Sequence, residues 1–297
     1  MPELYKIYMS LVIELSERSR LKISGKKSSE LLNNLCSNDI KNLPIGLGIA
    51  AGFLDRFAKV IAVSSIYNFG DYFLIESDKA VHEKLLKYLV EAANFVDCKV
   101  EDLKETYKMF SVIGFEKGLM GLNIEKGNAI IKRFNTKEIP ITWNTLVDRV
   151  DFFVKTEEAD GFPEFLYRGG GVEQRLEEFY DIFRISMGIP EYGKDFDKTY
   201  TIMELGSEDL ISYTKGCYTG QEIVARMKAY GGEPPRKIVL LKTQGHTKVK
   251  DILFRGGLEA GFITSAYENF CIGTVKKGFF TPGTILETVE KTKLTII

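Results

Sequence analysis

The chain has 297 residues, of which 44% are hydrophobic and 27% are charged. This composition is typical of globular proteins and excludes collagen-like, disordered and disulfide-scaffold chains. Forty Lys and Arg residues stand against 41 Asp and Glu residues, so a net charge of −1 gives no overall basic field and predicts no direct binding to nucleic acid. At about 100–200 residues per domain, two domains are expected.

The four cysteines form no CxxC pair, and the chain has only two histidines. Neither pattern matches the ligand spacing of a zinc or iron–sulfur site, so no metal site is predicted. Cysteines scattered along the chain are typical of reduced thiols in the cytoplasm. The longest uncharged apolar stretch, 42–54, is too short and too rich in glycine to span a bilayer. The first residues lack the plan of a signal peptide. We therefore expect a cytoplasmic monomer without membrane contact.

The first half of the chain predicts short strands interleaved with a few helices. Apolar runs at 60–63 and 72–75 are bounded by turn residues and are typical of buried strands, and another run opens near residue 44. A short helix is predicted at 29–35 and a long amphipathic one at 78–95. Strands are expected at 106–113 and 146–154, with a short helix near 115–122. The order lacks a regular βαβ rhythm and contains no glycine-rich nucleotide loop, so a Rossmann fold is not expected.

Three glycines follow Arg168 and predict a flexible break before a helix over 172–187. Glutamates lie early in this segment and Arg184 lies late, which matches the helix dipole, and Gly188 and Pro190 end it. The glycines are also a candidate phosphate cradle. Because no Lys-Ser/Thr pair follows them, a loop with positive φ angles is the preferred interpretation.

The sharpest change in composition is Gly231-Gly232-Glu233-Pro234-Pro235. Beyond it only short strand-like runs occur, at 237–242, 260–265, 272–276 and 285–289, and helical periodicity is absent. We therefore predict an α+β domain over residues 1–235 and a small all-β domain, a barrel or a sandwich, over residues 236–297.

The most specific segment is the octapeptide 215–222, Lys-Gly-Cys-Tyr-Thr-Gly-Gln-Glu. It predicts a loop that leads into a helix over 220–230. Thr219 and Glu222 have the spacing of a capping box, and Tyr218 and Ile223 have that of a hydrophobic staple.

This arrangement places Cys217 just outside the positive end of the helix dipole, with Lys215 close by in sequence. Dipole and ammonium both favour a thiolate over a thiol, which is how a reactive cysteine arises. The alternative is a buried, inert thiol beside an ordinary helix start, and the residues alone favour neither interpretation. The other cysteines, Cys36, Cys98 and Cys271, are interpreted as small core residues.

The octapeptide matches the signature K-G-C-Y-x-G-Q-E, and the match continues through Arg226. Residues 183–195 match R-x-x-x-G-x-P followed by G-x-D, and Leu35, Asn38, Asp39 and Ile40 match a third element. On these motifs the chain resembles the YgfZ family over about residues 21–280. That family comprises folate-binding proteins with the fold of the T-protein, the aminomethyltransferase of the glycine cleavage system.

The resemblance implies an aminomethyltransferase-like α+β fold with a central cavity for tetrahydrofolate and a C-terminal β-barrel. It also implies that the protein supports iron–sulfur enzymes, including those that thiolate tRNA, which would be its partners. Cys217 would be the reactive group, with Lys215 beside it. The residues that the resemblance indicates for folate contact are Asn38, Asp39, Arg184, Tyr192, Tyr218, Gln221, Glu222 and Arg226.

Two departures separate the chain from a true aminomethyltransferase. An Asp pair that assists aminomethyl transfer falls near Lys59 and Val60 in an ungapped alignment, with Asp55 several residues out of register. The Glu that holds the pterin in R-x-E-x-G is replaced by Ser186. Because Lys, Val or Ser cannot stabilise a cationic nitrogen as a carboxylate does, glycine cleavage is not expected.

Five of the folate candidates also have a structural interpretation. Arg184 could pair with the dipole at the end of its helix, and Arg226 could pair with a neighbouring carboxylate. Tyr192 could be half-buried in a loop, and Asn38 and Asp39 could form the turn that ends a helix. Three hypotheses follow for the protein. The leading one is a folate-binding accessory protein with a reactive cysteine, the second is a folate-dependent one-carbon transferase, and the third is a binding module in which Cys217 is structural.

Overall fold

The computed structural model describes residues 10–115, 118–134, 137–229 and 231–297. Within those ranges the strands of the first part of the chain are β1 Leu11–Glu14, β2 Ser19–Ser24, β3 Gly48–Leu54, β4 Val60–Asn68, β5 Tyr72–Ser77, β6 Lys99–Asp102, β7 Tyr107–Ile113, β8 Ala129–Phe134, β9 Lys137–Trp143, β10 Arg149–Lys155 and β11 Glu173–Arg175. The last strands are β12 Arg236–Thr243, β13 Ile252–Arg255, β14 Leu258–Tyr267, β15 Phe270–Lys276, β16 Ile285–Glu287 and β17 Lys293–Ile296. The α-helices are α1 Ser28–Leu35, α2 His82–Ala93, α3 Phe162–Gly170, α4 Glu178–Ser186 and α5 Gln221–Ala229.

A five-stranded antiparallel sheet forms the first unit, in the order β3-β4-β5-β2-β6. Helices α1 and α2 cover one face of it, because Leu32 of α1 and Leu85 and Leu89 of α2 are fully buried against the apolar side chains of the strands. The alternation of buried and half-buried residues in β2 is typical of a strand with one face in the core.

A six-stranded sheet forms the second unit, in the order β11-β1-β7-β10-β9-β8. Its pairs are antiparallel except for β11, which runs parallel to β1. Helix α3 packs against this sheet through Phe162 and Leu166. Helix α4 joins the two sheets, since Tyr180 and Phe183 share a core cluster with Tyr67 of β4 and Phe153 of β10.

The C-terminal strands close into a six-stranded barrel in the order β12-β15-β14-β13-β16-β17. Its interior holds Leu241, Leu253, Ile263 and Leu286, each essentially inaccessible to water. A separate apolar cluster brings Ile238 of β12 against Ile185 of α4 and Ile202, so the barrel packs on the body of the protein. The predicted α+β class with a C-terminal β-barrel is therefore confirmed, whereas the domain boundary at 235/236 stays a prediction.

Most of the predicted elements are present, with shifted ends. The short helix α1 and the strands at 60–63 and 72–75 lie where expected. The long helix is a 3-10 turn at Lys79–Val81 followed by α2, and the predicted strand at 146–154 begins at Arg149. In place of the predicted short helix near 115–122, the structure has a 3-10 segment at Leu119–Gly121 that is kinked at Met120, whose φ is 54°. Residues 116 and 117 lie outside the described residues. No described helix combines the length and the apolar character that a membrane crossing requires.

The segment 168–187 differs from the prediction. Arg168, Gly169 and Gly170 form the last turn of α3, and Gly171 ends it with a φ of 68°, so only one of the three glycines needs a positive φ. The predicted single helix over 172–187 is β11 followed by α4. The early part is a strand because its backbone pairs with β1, which local periodicity does not report.

Two glycines with the same backbone conformation give a matched test of packing. Gly171 and Gly188 both have a φ of 68°, but a Cβ at Gly171 would meet no atom within 4 Å, whereas a Cβ at Gly188 would lie 2.9 Å from the Cβ of Leu240 on the barrel. We expect Gly171→Ala to lower the free energy of unfolding by about 1 kcal/mol through backbone strain. Gly188→Ala should lower it by about 2–4 kcal/mol because overpacking adds to that strain. Equal losses in urea unfolding would contradict a tight contact between α4 and the barrel.

Candidate active site

A cavity of about 330 Å³ lies where the five-stranded sheet, α4 and the barrel meet. One part of its wall is apolar and includes Val63, Leu146, Ile189, Phe196 and Leu210. The other part is polar and is lined by Arg18, Glu76, Asp78, Asn144, Tyr180, Arg184 and Glu191. A mostly apolar pocket of this size with a few polar groups is typical of a small-molecule site.

A buried ion network, formed by Arg18, Glu76, Arg149 and Asp151, lies at the polar side of the cavity. Glu76 on β5 forms ion pairs with Arg18 and with the guanidinium of Arg149, the latter at 3.0 Å. Arg149 on β10 also donates to Asp151 at 2.8 Å, and both of these side chains are fully buried. The network therefore connects a strand of one sheet to a strand of the other.

Neighbouring polar groups complete this network. Asn144 donates to Glu76 Oε2 at 3.1 Å, and Arg149 donates to the hydroxyl of Tyr180 at 2.6 Å. Burial alone would raise the pKa of Glu76, but Arg18 and Arg149 outweigh it and hold that pKa below its ordinary value. For Asp151 burial prevails over the attraction of Arg149, and its pKa is raised.

A second cluster surrounds Arg184 of α4. Its guanidinium contacts three carboxylates, Asp181 at 2.6 Å, Glu191 at 3.0 Å and Asp195 at 2.7 Å, and donates to the hydroxyl of Ser265 in the barrel at 3.2 Å. The side chain is 2% exposed. Arg184 therefore lines the cavity and also anchors α4 to the barrel.

The depressed pKa of Glu76 gives the fold a pH dependence. A carboxyl group with a lowered pKa stabilises the protein above its unfolded pKa of about 4.3, and this contribution is lost as the pH falls through the folded value. We expect Glu76→Gln to lower the free energy of unfolding by about 3–5 kcal/mol at pH 7, because two arginines lose their buried partner. The difference from the unsubstituted protein should shrink below about pH 4.

A matched control is Glu101→Gln on β6. Glu101 also pairs with two cations, Lys22 at 2.8 Å and Lys99 at 2.6 Å, but its side chain is 29% exposed. Solvent screening limits the expected loss there to about 0–1 kcal/mol. Urea unfolding at several pH values measures both variants, and similar losses at pH 7 would contradict the role of the buried network.

Lys215 ties the loop that carries the octapeptide 215–222 to the end of α1. The ammonium of Lys215 is buried and donates to the main-chain oxygens of Asn33, Cys36 and Asn38, the last two at 2.8 Å. These oxygens lie at the C-terminal end of α1, where a cation is favoured. Burial lowers the pKa of Lys215. Its ammonium is thus engaged with the main chain at the end of α1, and an effect of its charge on the Cys217 thiol stays a prediction.

Cys217 itself is exposed, so the alternative that this thiol is buried is wrong, while its reactivity stays a prediction. The predicted capping box is also wrong. Among the described residues, the side chain that bonds back to the amide before the helix is that of Gln221, whose Oε1 accepts a hydrogen bond from the Tyr218 amide at 3.3 Å. Glu222 instead pairs with Arg226 at 2.6 Å. Helix α5 begins at Gln221 as expected, and the predicted end at residue 230 lies outside the described residues.

Most of the other predicted folate residues hold loops in place. Asn38 is buried and donates to the carbonyls of Ala50 and Asp209, and Asp39 accepts from both nitrogens of Asn42. Tyr218 is buried, and its ring lies 5.0 Å from the Lys215 ammonium.

Tyr192 does not line the cavity but contacts two residues that do, Asp78 and Phe196. It is half-buried, and its amide donates to Asp78 at 2.9 Å. Its ring meets Phe196 edge-on at 5.3 Å. Glu222 and Arg226 form an exposed ion pair. Of the predicted folate residues, Arg184 is therefore the one that lines the cavity.

The two positions that separate the chain from the aminomethyltransferases are also placed. Lys59 and Val60 do not line the cavity, and the ammonium of Lys59 donates to the carbonyl of Thr199. The residue of β4 that lines the cavity is Val63. Ser186 is buried and its hydroxyl donates to the carbonyl of Phe183 at 2.8 Å, so it is turned onto its own helix.

Three carboxylates that line the cavity were not predicted from the sequence: Glu76, Asp78 and Glu191. A signal was present for the buried network. Glu76 follows the apolar run 72–75, and Arg149 and Asp151 interrupt the apolar run 146–154. A charged residue inside a strand that is otherwise apolar indicates a buried partner or a site.

The environments of the four cysteines predict their order of reaction. Burial raises the pKa of Cys36 to about 11 and also raises the pKa of Cys98 and Cys271, while Cys217 is the exposed thiol. We expect limiting iodoacetamide near neutral pH to alkylate Cys217 first, because it is exposed to the reagent, whereas burial raises the pKa of each of the other three thiols. Peptide mass spectrometry measures the order. In Cys217→Ser the fast phase should vanish, and early labelling of Cys36 would contradict the burial described here.

Comparisons with known proteins agree with this architecture. No protein-family model matches the chain. It is 24% identical over 252 residues to the tRNA-modifying protein YgfZ of Colwellia psychrerythraea, covering 82% of this chain and 75% of that protein. It is also 23% identical over 240 residues to a chloroplastic protein of Arabidopsis thaliana provisionally named a transferase, covering 75% of this chain. The chain spans about half the length of that plant protein, 54%.

The fold is that of a solved aminomethyltransferase. The glycine cleavage system aminomethyltransferase T of Bartonella henselae superposes with a TM-score of 0.87 at 17% sequence identity, over 99% of this chain and 86% of that one. The predicted resemblance to YgfZ proteins and to the aminomethyltransferase fold is therefore confirmed.

Proposed function

From the similarity to YgfZ proteins and to the aminomethyltransferase fold, we propose that this protein binds a folate in the cavity between the two sheets and the barrel. With that folate it supports the assembly or repair of iron–sulfur enzymes, among them enzymes that modify tRNA, and the exposed thiol of Cys217 takes part. The observation that carries the proposal is the cavity itself, with an apolar wall on one side and paired charges on the other.

The cavity fits the chemistry of a reduced folate. A volume of about 330 Å³ accommodates a flat bicyclic ring, and Val63, Leu146 and Phe196 offer it apolar contact. The polar side presents carboxylates, which accept hydrogen bonds from ring amino groups. Arg184 and Glu191 stand at the end of α4 and in the loop after it, so they are held by both the body and the barrel.

The thiol and the cavity are separate features. Cys217 is not among the residues that line the cavity. It lies in the loop before α5, which Lys215 ties to the end of α1. An exposed thiol on an anchored loop is accessible to a client protein while the folate is bound. The proposed roles of folate and thiol can therefore be tested one at a time.

Folate binding is tested by filling the cavity. Val63 is half-buried and borders the cavity, so Val63→Phe should occupy the space without disturbing the sheet. We expect calorimetric titration with 5-formyltetrahydrofolate to give binding by the unsubstituted chain and at least a tenfold weaker affinity for Val63→Phe, because the ring meets the new side chain.

The matched control is Val90→Phe on the exposed side of α2, where Val90 is 39% exposed. It adds the same side chain away from the cavity and should bind like the unsubstituted chain. Absence of heat with the unsubstituted chain at millimolar ligand, or equal affinities for the two variants, would contradict folate binding in this cavity.

The role of the thiol is tested in cells that lack the native protein. Cys217→Ser should fold and bind folate normally yet fail to restore iron–sulfur enzyme activity, because serine lacks a nucleophilic thiolate at neutral pH. Cys98→Ser, which alters a half-buried thiol, should restore it. Full restoration by Cys217→Ser would favour a binding module in which this cysteine has no chemical role.

A folate-dependent one-carbon transferase is the second candidate. Val63 and Ser186 supply no carboxylate, but Glu76, Asp78 and Glu191 line the same cavity from other elements. An anionic group beside the ring is what a cationic one-carbon intermediate requires. Consumption of tetrahydrofolate by an aminomethyl-carrying partner, with formation of 5,10-methylenetetrahydrofolate, ammonia and the free partner thiol and dependent on this protein, would favour transfer over the accessory role.

A further inference from the structure

The three carboxylates that line the cavity are not equally compensated. Glu76 is paired with Arg18 and Arg149 and accepts from Asn144. Both carboxylate oxygens of Asp78 are engaged: one pairs with Arg18 at 2.8 Å, and the other accepts a hydrogen bond from the Tyr192 amide at 2.9 Å. For Glu191 the nearest atoms of both neighbouring cations lie against Oε2, and among the described residues no side chain or amide donates a hydrogen bond to Oε1, which makes Oε1 the acceptor most open to a ligand.

The cations near Glu191 are shared with other carboxylates. Its Oε2 lies 3.0 Å from Nε of Arg184 and 3.2 Å from Nζ of Lys194. Arg184 also pairs with Asp181 and Asp195, and Lys194 also pairs with Asp181. Within the part of the chain that the structure describes, two cations therefore serve three carboxylates. When all five groups are ionised, the cluster has one more negative charge than positive charges.

Burial adds to this imbalance. The Glu191 side chain is 13% exposed, and burial together with the nearby Asp78 raises its pKa although Arg184 and Lys194 attract the charge. A buried carboxylate that its partners do not fully compensate favours a ligand that brings hydrogen-bond donors. The surrounding atoms supply no further donor to Glu191 Oε1 among the hydrogen bonds of the described residues.

We propose that Glu191 recognises the donor edge of the bound pterin, in place of the carboxylate that Ser186 lacks. This inference rests on the proposed binding of a folate in the cavity. Ser186 lies on α4 with its hydroxyl turned onto the helix, whereas Glu191 lies five residues later in the loop that lines the same cavity. The acceptor is therefore delivered by the loop after α4 instead of by the helix.

The chemistry suits an amino-substituted ring. A pterin presents an amino group and a ring N–H side by side, and both are donors. A carboxylate accepts such donors through charge-assisted hydrogen bonds, which are stronger than neutral ones. No bond is made or broken in this contact. Its effect is selectivity for ligands that carry the amino group over analogues that lack it.

The test uses the full chain, two variants and two ligands. Glu191→Gln removes the charge at the cavity, and Asp181→Asn removes a carboxylate with the same two cation partners that does not line the cavity. The ligands are 5-formyltetrahydrofolate and its 2-desamino-2-methyl analogue, in which a methyl group replaces the amino donor. Calorimetric titration measures all affinities, and thermal unfolding checks that both variants fold.

The unsubstituted chain should prefer the amino ligand by about tenfold to a hundredfold. Glu191→Gln should lose most of that preference, falling to about threefold or less, by weakening the amino ligand only. Asp181→Asn should keep it.

Three outcomes overturn the proposal: no preference in the unsubstituted chain, equal behaviour of the two variants, or an equal loss of both ligands in Glu191→Gln. The preference of the unsubstituted chain decides the question if Glu191→Gln does not fold. Failure of the unsubstituted chain to bind either ligand would instead refute the proposed folate function, which is a separate result.

Discussion

The pairing of Glu76 with Arg149 is the interaction on which the arrangement of the body depends. The two residues lie on β5 and β10, which belong to different sheets, and both are almost completely buried. A buried charge without its partner costs several kcal/mol, so the two sheets have little freedom to shift against each other. Because Glu76 also lines the cavity, the same contact that joins the sheets defines one side of the site.

Arg184 has the corresponding role between the body and the barrel. It pairs with Asp195, and Asp195 accepts from the hydroxyl of Thr264 on β14 at 2.6 Å, while Arg184 itself donates to Ser265. These two polar bonds between the barrel and the body therefore meet near the end of α4. The cavity lies between these two ionic clusters, so paired charges from distant parts of the chain form its polar side.

Local patterns predicted the elements well and the site poorly. The apolar spacing of α1 and α2 and the short apolar runs of the barrel are properties of neighbouring residues, so they can be read directly. Strand β11 has the sequence Glu-Gln-Arg, which has no strand preference of its own, and its pairing with β1 determines it. Leu176, an apolar residue within the predicted helix over 172–187, is 75% exposed.

The same limit applies to the site. The octapeptide indicated a loop before a helix correctly, but the partner of Lys215 is the end of α1, about 180 residues earlier in the chain, and spacing within the motif contains no such information. Arg18, Glu76 and Arg149 come from three separate segments and meet only in the folded protein. A charged residue in an apolar strand shows that a partner exists, but not which residue it is.

The parallel pairing of β11 with β1 has a consequence for the order of folding. The five-stranded sheet uses only residues 19–102 and the barrel only residues 236–296, so each is contiguous in the chain. The six-stranded sheet must bring β1, from before the first sheet, to β11, from after α3. Closing so long a loop is slow. During synthesis from the N-terminus, Glu76 is therefore made well before Arg149, and the nascent first sheet holds this carboxylate with Arg18 as its ionic partner until β10 emerges from the ribosome.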